Sequence, residues 1–341
     1  MKLQGLVLVV LGLLVSVAAF SQSDGQMRQE PRGSRKYVST TGMHLPDMSA
    51  PDIPGVVAGG SRVELVKDDY NGAPMISYEG PVPMPDGSIL FAENVARRIH
   101  RIDNEGQASV FMQDTNTALG LAFDSKGRLI AVETTPGKSR IAVIYPKGSE
   151  TVLSDNYDGK PYGRPNDLVV DKKGGVYFTD PGPRLGPGET LPLPMAVYYI
   201  SPGGKTIQVI EDINRPNGIQ LSPSEDVLYV NSESDYLLAF DIQPDGALRN
   251  RRNFAKYSQE AGPRVTADGL AVDSAGRVYV ASRAGVQVFS PKGEHLGTIP
   301  TARQPQNLAF GGPDKKTLYV VGFNAVWKIP MLSQGIKTRA K

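Results

Sequence analysis

Arg164-Pro165-Asn166-Asp167-Leu168-Val169-Val170-Asp171-Lys172-Lys173-Gly174-Gly175-Val176-Tyr177-Phe178-Thr179-Asp180 is the stretch on which the fold turns. A polar start leads into a short apolar run, a turn of Asp, Lys and Gly, and a second run of β-branched and aromatic residues. Runs of this kind, bounded by turn residues, are paired strands. A near copy of the opening, Arg215-Pro216-Asn217-Gly218, follows 51 residues after the first. An asparagine is therefore fixed at the start of a repeated strand.

The same pattern occurs six times. The units begin at Glu79 (EGPVPMPDGSILFAEN), Leu119 (LGLAFDSKGRLIAVE), Asn166, Asn217 (NGIQLSPSEDVLYVNS), Asp268 (DGLAVDSAGRVYVAS) and Asn307 (NLAFGGPDKKTLYVVG), spaced 40, 47, 51, 51 and 39 residues apart. A third strand follows the pair, as in Ala196-Val197-Tyr198-Tyr199-Ile200, and then a fourth, as in Thr206-Ile207-Gln208-Val209-Ile210. Four strands in each of six repeats specify an all-β, six-bladed β-propeller with four-stranded blades. The last repeat ends after its third strand, Ala325-Val326-Trp327-Lys328-Ile329, and Arg62-Val63-Glu64-Leu65-Val66 is a strand with no repeat of its own. The expectation is that this N-terminal strand closes the last blade and removes its open edge.

Composition narrows the chemistry. The 341 residues carry a net charge of +2 and 21% charged side chains, which gives no nucleic-acid surface. There is no cysteine, so disulfides, thiolate metal sites and cysteine nucleophiles are excluded, and three histidines make a histidine-built zinc centre a poor expectation. Lys2, the apolar run Leu6–Val15 and the small residues Ser16-Val17-Ala18-Ala19 read as a signal peptide over 1–21. A secreted or periplasmic protein, free of the membrane after cleavage, is the corresponding expectation. Residues 22–58 read as a flexible linker or a loosely docked arm, 59–331 as the propeller and 332–341 as a tail.

In a propeller the innermost strands all start at one end of the central axis, so Glu79, Leu119, Asn166, Asn217, Asp268 and Asn307 point toward one spot. Two carboxylates and three carboxamides there offer oxygen ligands of mixed charge, which suit Ca²⁺ best and Mg²⁺ or Mn²⁺ less well. The plain alternative for Asn-Gly and Asp-Gly is a turn.

Glu79-Gly80-Pro81, Arg164-Pro165-Asn166-Asp167, Pro216-Asn217-Gly218, Asp268-Gly269 and Asn307-Leu308-Ala309-Phe310-Gly311-Gly312 together resemble the SMP-30/gluconolactonase/LRE family of propellers, over about residues 60–330. The resemblance implies one divalent cation, usually Ca²⁺, with Mg²⁺, Mn²⁺ or Zn²⁺ as the other ions, held by Glu79, Asn166, Asn217 and Asp268. It implies a lactonase whose small-molecule substrate is a sugar lactone, with the cation polarising the lactone carbonyl and Asp268 as general base. Attack by Asp268 itself stays open as the alternative. Arg164 and Asn166 are the expected substrate contacts. Leu119 and Ala267 depart from the family pattern, which asks for asparagine and proline there, and the first bears on the pocket wall. An arylesterase or phosphotriesterase activity at the same metal, and a non-catalytic binding propeller with a structural metal, are the rival readings.

Asp167 is expected to orient the ligands. Asp180 is assigned to the opposite end of its blade, as a turn residue or at a separate structural cation site. His100 and Trp327 read as blade packing. The insert 182–194 reads as a rim loop, a lid or a tolerated insertion.

Overall fold

A computed structural model of the chain describes residues 48–69, 76–258 and 267–338. The expected signal peptide and most of the expected arm lie outside these residues. Among the described residues every regular element is a strand. The strands form six antiparallel sheets that follow chain order, plus a small hairpin of Asn156–Tyr157 with Lys160–Pro161.

Blade 1 contains Tyr78–Pro83, Ile89–Glu93, Arg98–Ile102 and Ala108–Gln113. Blade 2 contains Ala118–Phe123, Leu129–Glu133, Arg140–Tyr145 and Thr151–Ser154. Blade 3 contains Leu168–Val170, Val176–Asp180, Ala196–Ile200 and Thr206–Ile210. Blade 4 contains Ile219–Leu221, Val227–Val230, Tyr236–Ile242 and Leu248–Lys256. Blade 5 contains Ala267–Val272, Val278–Ser282, Gly285–Phe289 and His295–Ile299. Blade 6 contains Pro305–Gly311, Thr317–Gly322 and Ala325–Pro330, and is completed by Arg62–Asp68. The first strand of each blade touches the first strand of the next, and that of blade 6 touches that of blade 1. The six-bladed ring is closed.

Local sequence explains the hairpins. In the turns Asp124–Arg128, Asp171–Gly175 and Asp273–Arg277, the opening aspartate's Oδ1 accepts two backbone N–H groups, two and four residues on, at 2.8–2.9 Å. The glycine that completes each turn has φ of 74°, 87° or 80°, a conformation glycine adopts without steric cost. The second strands, such as Leu129–Glu133 and Val278–Ser282, are buried throughout, which is why they read as unbroken apolar runs. The fourth strands face solvent: Leu248–Lys256 carries three arginines and is largely exposed.

Apolar packing lies between blades. Six clusters of buried side chains are found, one joining each neighbouring pair, for instance Val82, Leu90 and Ile99 with Leu121 and Leu129 between blades 1 and 2. No blade has a complete core of its own, so each depends on both neighbours.

The N-terminal strand pairs with Ala325–Pro330 as expected, with Leu65 opposite Trp327 and Asp68 opposite Ala325. Arg303 binds Asp68 at 2.8 Å and fixes the register. The described end of the expected arm is docked rather than a free linker. Met48–Ser49 adds a fifth strand to the closing blade, and Ala50, Ile53, Val56 and Val57 are buried among the residues of blades 5 and 6. Four apolar side chains within a Pro- and Gly-rich stretch suffice to dock it, because each loses its contact with water. The tail also packs: Leu332 N–H donates to the Val56 carbonyl at 2.9 Å, and Gly335 bridges to Asp273.

Candidate functional site

The first residues of the inner strands lie at one end of the ring, and each inner strand packs against the next. Asn166 N–H donates to the Thr179 carbonyl and Asn217 N–H to the Asn231 carbonyl, both at 2.9 Å. Both asparagines are thereby set at equivalent positions relative to the second strand of their blade. The Asn-Gly and Asp-Gly pairs are not turns. A Cβ on Gly218 would stand 2.1 Å from the Asp268 carbonyl oxygen, and one on Gly269 would stand 2.1 Å from Asn307 Oδ1. These glycines let each inner strand press against the first residue of the next blade.

Glu79 is only 5% exposed and is held by side-chain amides. Gln306 Nε2 donates to Glu79 Oε1 at 3.1 Å, Ser77 Oγ donates to Gln306 Oε1 at 2.9 Å, and the Asn307 side chain also hydrogen-bonds Glu79. Asp268 is partly accessible, and the Asn217 side chain hydrogen-bonds its carboxylate. The Asn231 amide donates to the Asp268 carbonyl, and Tyr257 Oη donates to Asn231 Oδ1. Asp167, 1% exposed, accepts Leu168 N–H at 2.9 Å, and Thr179 Oγ1 ties the Asp167 turn to the Asn217 carbonyl at 2.7 Å.

These carboxylates act on one another. Withdrawal from water, then the charges of Asp268 and Asp167, hold the Glu79 carboxyl well above the usual range. Withdrawal from water and then Asp167 push Asp268 up to about 7, with Asn217 and Arg164 pulling the other way. Like charges crowded in a low-dielectric site raise pKa values in this manner.

The donor set fits a hard divalent cation on one further observation. Asn217 Oδ1 is buried and has no hydrogen-bond partner, an uncommon state for a buried amide oxygen. It lies beside Asp268, where carboxylate charge is in excess. Among the described residues no three His, Cys, Asp or Glu side chains are grouped closely enough to hold a metal ion. A cation at this place would rest on carboxylates and carboxamides together.

Of the residues singled out in the sequence, Glu79, Asp268, Asp167 and Arg164 lie close enough for their charges to act on one another, and Asn217 hydrogen-bonds Asp268. Asn166 stands at the equivalent strand start, and its carbonyl accepts Gly120 N–H at 3.0 Å. Gln306, Asn231 and Tyr257 gave no signal in the sequence, since each acts from behind the ring. His100 binds Glu93 at 2.6 Å and stacks on Phe91, and Trp327 is buried in the closing blade. Both are packing residues.

Asp180 is where the expectation was wrong. Its Oδ2 accepts Gly163 N–H at 2.8 Å, and its Oδ1 accepts Arg164 N–H at 2.8 Å and Gly182 N–H at 2.9 Å. In an antiparallel pair the second strand ends where the first begins, so Asp180 belongs to the same end as Asn166.

Residues 78–324 match the SMP-30/Gluconolactonase/LRE-like region. The chain belongs to that family. It is 26% identical over 306 residues to a gluconolactonase of Zymomonas mobilis, covering 82% of this chain and 84% of that protein. It is 27% identical over 253 residues to a pentonolactonase of Haloferax volcanii, covering 71% of this chain and 80% of that protein. The solved structure of a gluconolactonase from Xanthomonas campestris superposes with a TM-score of 0.70 at 29% identity, covering 84% of this chain and 97% of that one.

Proposed function

We propose that this protein is a metal-dependent lactonase that opens a sugar lactone or a close relative, and that Glu79, Asn166, Asn217 and Asp268 hold a divalent cation, Ca²⁺ by preference. The observation that carries the reading is the convergence of Glu79, Asp268 and the unpartnered Asn217 Oδ1 at one end of the ring. The gluconolactonase and pentonolactonase among the relatives support the substrate class. The ligand preference for Ca²⁺ rests on the all-oxygen donor set.

A bound cation of this kind supplies Lewis acidity to an ester carbonyl. The chain's own residues do the rest. Asp268 accepts the proton of the attacking water, and a carboxyl with a pKa of about 7 is matched to that task near neutral pH. Asn217 holds the Asp268 carboxylate, while Asn231 fixes its backbone through the carbonyl. Gln306 and Asn307 keep Glu79 aimed inward. Arg164 and Asn166 contact the substrate's oxygens, with Arg164 held by its own N–H on Asp180. Export by the N-terminal segment is part of the proposal and places the activity outside the cytoplasm.

The test is hydrolysis of glucono-δ-lactone by the full chain after EDTA treatment, with Ca²⁺, Mg²⁺, Mn²⁺ or Zn²⁺ restored separately. The expected result is loss of turnover on chelation and recovery with one or more ions, Ca²⁺ first. Full turnover in a folded, metal-loaded Asp268→Ala variant would overturn the assignment of Asp268.

A further inference from the structure

The rim above Asn166 and Asn217 carries three arginines. Arg164 and Arg215 occupy the same place in the repeat, each two residues before its asparagine. Arg184 lies in the loop between the second and third strands of blade 3. That loop is anchored at both ends to the turns bearing the other two. At its start, Gly182 N–H and Arg164 N–H donate to the same oxygen of Asp180, at 2.9 and 2.8 Å. At its end, Met195 Sδ accepts Arg215 N–H at 3.2 Å. One small region of backbone therefore presents all three side chains together.

Their charges act on one another. Burial, Arg184 and Arg164 all lower the pKa of Arg215, with Glu233 alone opposing them. Glu233 is exposed and is itself held by the Asn214 amide at 3.4 Å. Among the described residues none of the three guanidiniums forms an ion pair with a carboxylate. Arg215 also takes a φ of 46°, in the left-handed region that costs a non-glycine residue energy. Strain of this kind is retained where the surrounding structure imposes it, and it gathers at ligand sites. Arg184 and Arg215 therefore set two positive charges near one another with only the exposed Glu233 opposing them at Arg215, while Arg164 is offset by Glu79, Asp268 and Asp180; an anion relieves the repulsion between the first two. Guanidinium forks match carboxylate and phosphate oxygens in pairs.

We infer that Arg164, Arg184 and Arg215 form an anion-binding subsite at the rim, and that the substrate is a lactone bearing a negatively charged group, a carboxylate, phosphate or sulfonate, away from its ester. This rests on the lactonase reading above. Arg164 also faces Glu79 and Asp268, so the anionic group of the ligand meets Arg184 and Arg215 most directly. The ester is then directed toward Asp268 from the side on which blades 3 and 4 meet.

The test compares glucono-δ-lactone with its 6-phosphate and with a glucarolactone carrying a free carboxylate, using the Ca²⁺-loaded full chain at low ionic strength. A charged lactone is expected to have a kcat/KM about tenfold or more above the neutral one, expressed mainly in KM and eroded by added salt. In the Arg184→Gln/Arg215→Gln variant that ratio collapses, and in Arg184→Lys/Arg215→Lys it is largely restored. Equal use of neutral and charged lactones, or a proportional loss on both in the glutamine variant, overturns the inference while leaving the lactonase reading intact. If no lactone is opened with any ion, the lactonase reading fails, and calorimetric titration with 6-phosphogluconate and gluconate decides the rest. Tighter binding of the phosphate, lost in the glutamine variant, keeps the anion subsite; equal binding of the two removes it.

Discussion

Asp268 and its neighbours set the behaviour of the site residue by residue. Replacing Asp268 by Asn removes a charge from a crowded carboxylate group and removes the proposed proton acceptor at the same time. The expected outcome is a fall in kcat of about 10²–10⁴-fold, with cation-free stability at pH 7–8 raised rather than lowered. Chemical denaturation without added cation checks the second half. Gly218 is sensitive for a different reason, since its neighbour is backbone rather than a movable side chain. Gly218→Ala puts a methyl group against the Asp268 carbonyl oxygen and is expected to cost about 1–3 kcal/mol, read as a lower midpoint in urea together with weaker cation binding. The glycine thus spaces two blades as well as serving its own strand.

The closing blade is the element whose loss has the widest effect. Trp327 is buried opposite Leu65 across the junction of the two chain ends. Trp327→Ala is expected to cost about 3–5 kcal/mol, and removal of residues 48–68 to expose an unpaired strand edge and cause self-association on size-exclusion chromatography. Much of this element was legible beforehand. The missing fourth strand after Ala325–Ile329 and the unassigned strand at Arg62–Val66 leave one simple pairing. The segment Ile53–Val57 was not legible, because its apolar residues are diluted among prolines and glycines and show no strand period. The ring of inner-strand starts was legible because the repeat gives it a register. Asp180 was misread by overlooking that an antiparallel return brings the chain back to the same end. Gln306 and Tyr257 had no pattern to betray them, since their roles depend on contacts between segments far apart in sequence.

For the molecule as a whole, the raised carboxyl pKa values link stability, pH and metal. A carboxyl whose pKa is higher folded than unfolded favours the folded state at low pH. That contribution is present below the ordinary value of 3.8 for aspartate and is lost as pH rises through about 7 for Asp268. Without a cation, the protein is therefore expected to lose stability between these limits. A cation must displace those protons to bind, so the increase in Tm on adding Ca²⁺ is expected to be larger at pH 8 than at pH 5. Differential scanning calorimetry across this range, with and without EDTA, measures both trends. A Ca²⁺ effect independent of pH would remove the cation from Glu79 and Asp268.

The pairing of Arg62–Asp68 with Ala325–Pro330 also fixes the order of events during synthesis. The strand that seals the ring leaves the ribosome before blades 1 to 5, and its partner leaves after them. For most of translation the early strand has no mate, and blades 1 to 5 stack as an open arc with an unpaired end. Contacts this distant in sequence make ring closure slow compared with formation of any single blade. The completed ring therefore requires the chain through Pro330, and a product truncated or stalled before it exposes an unpartnered sheet edge.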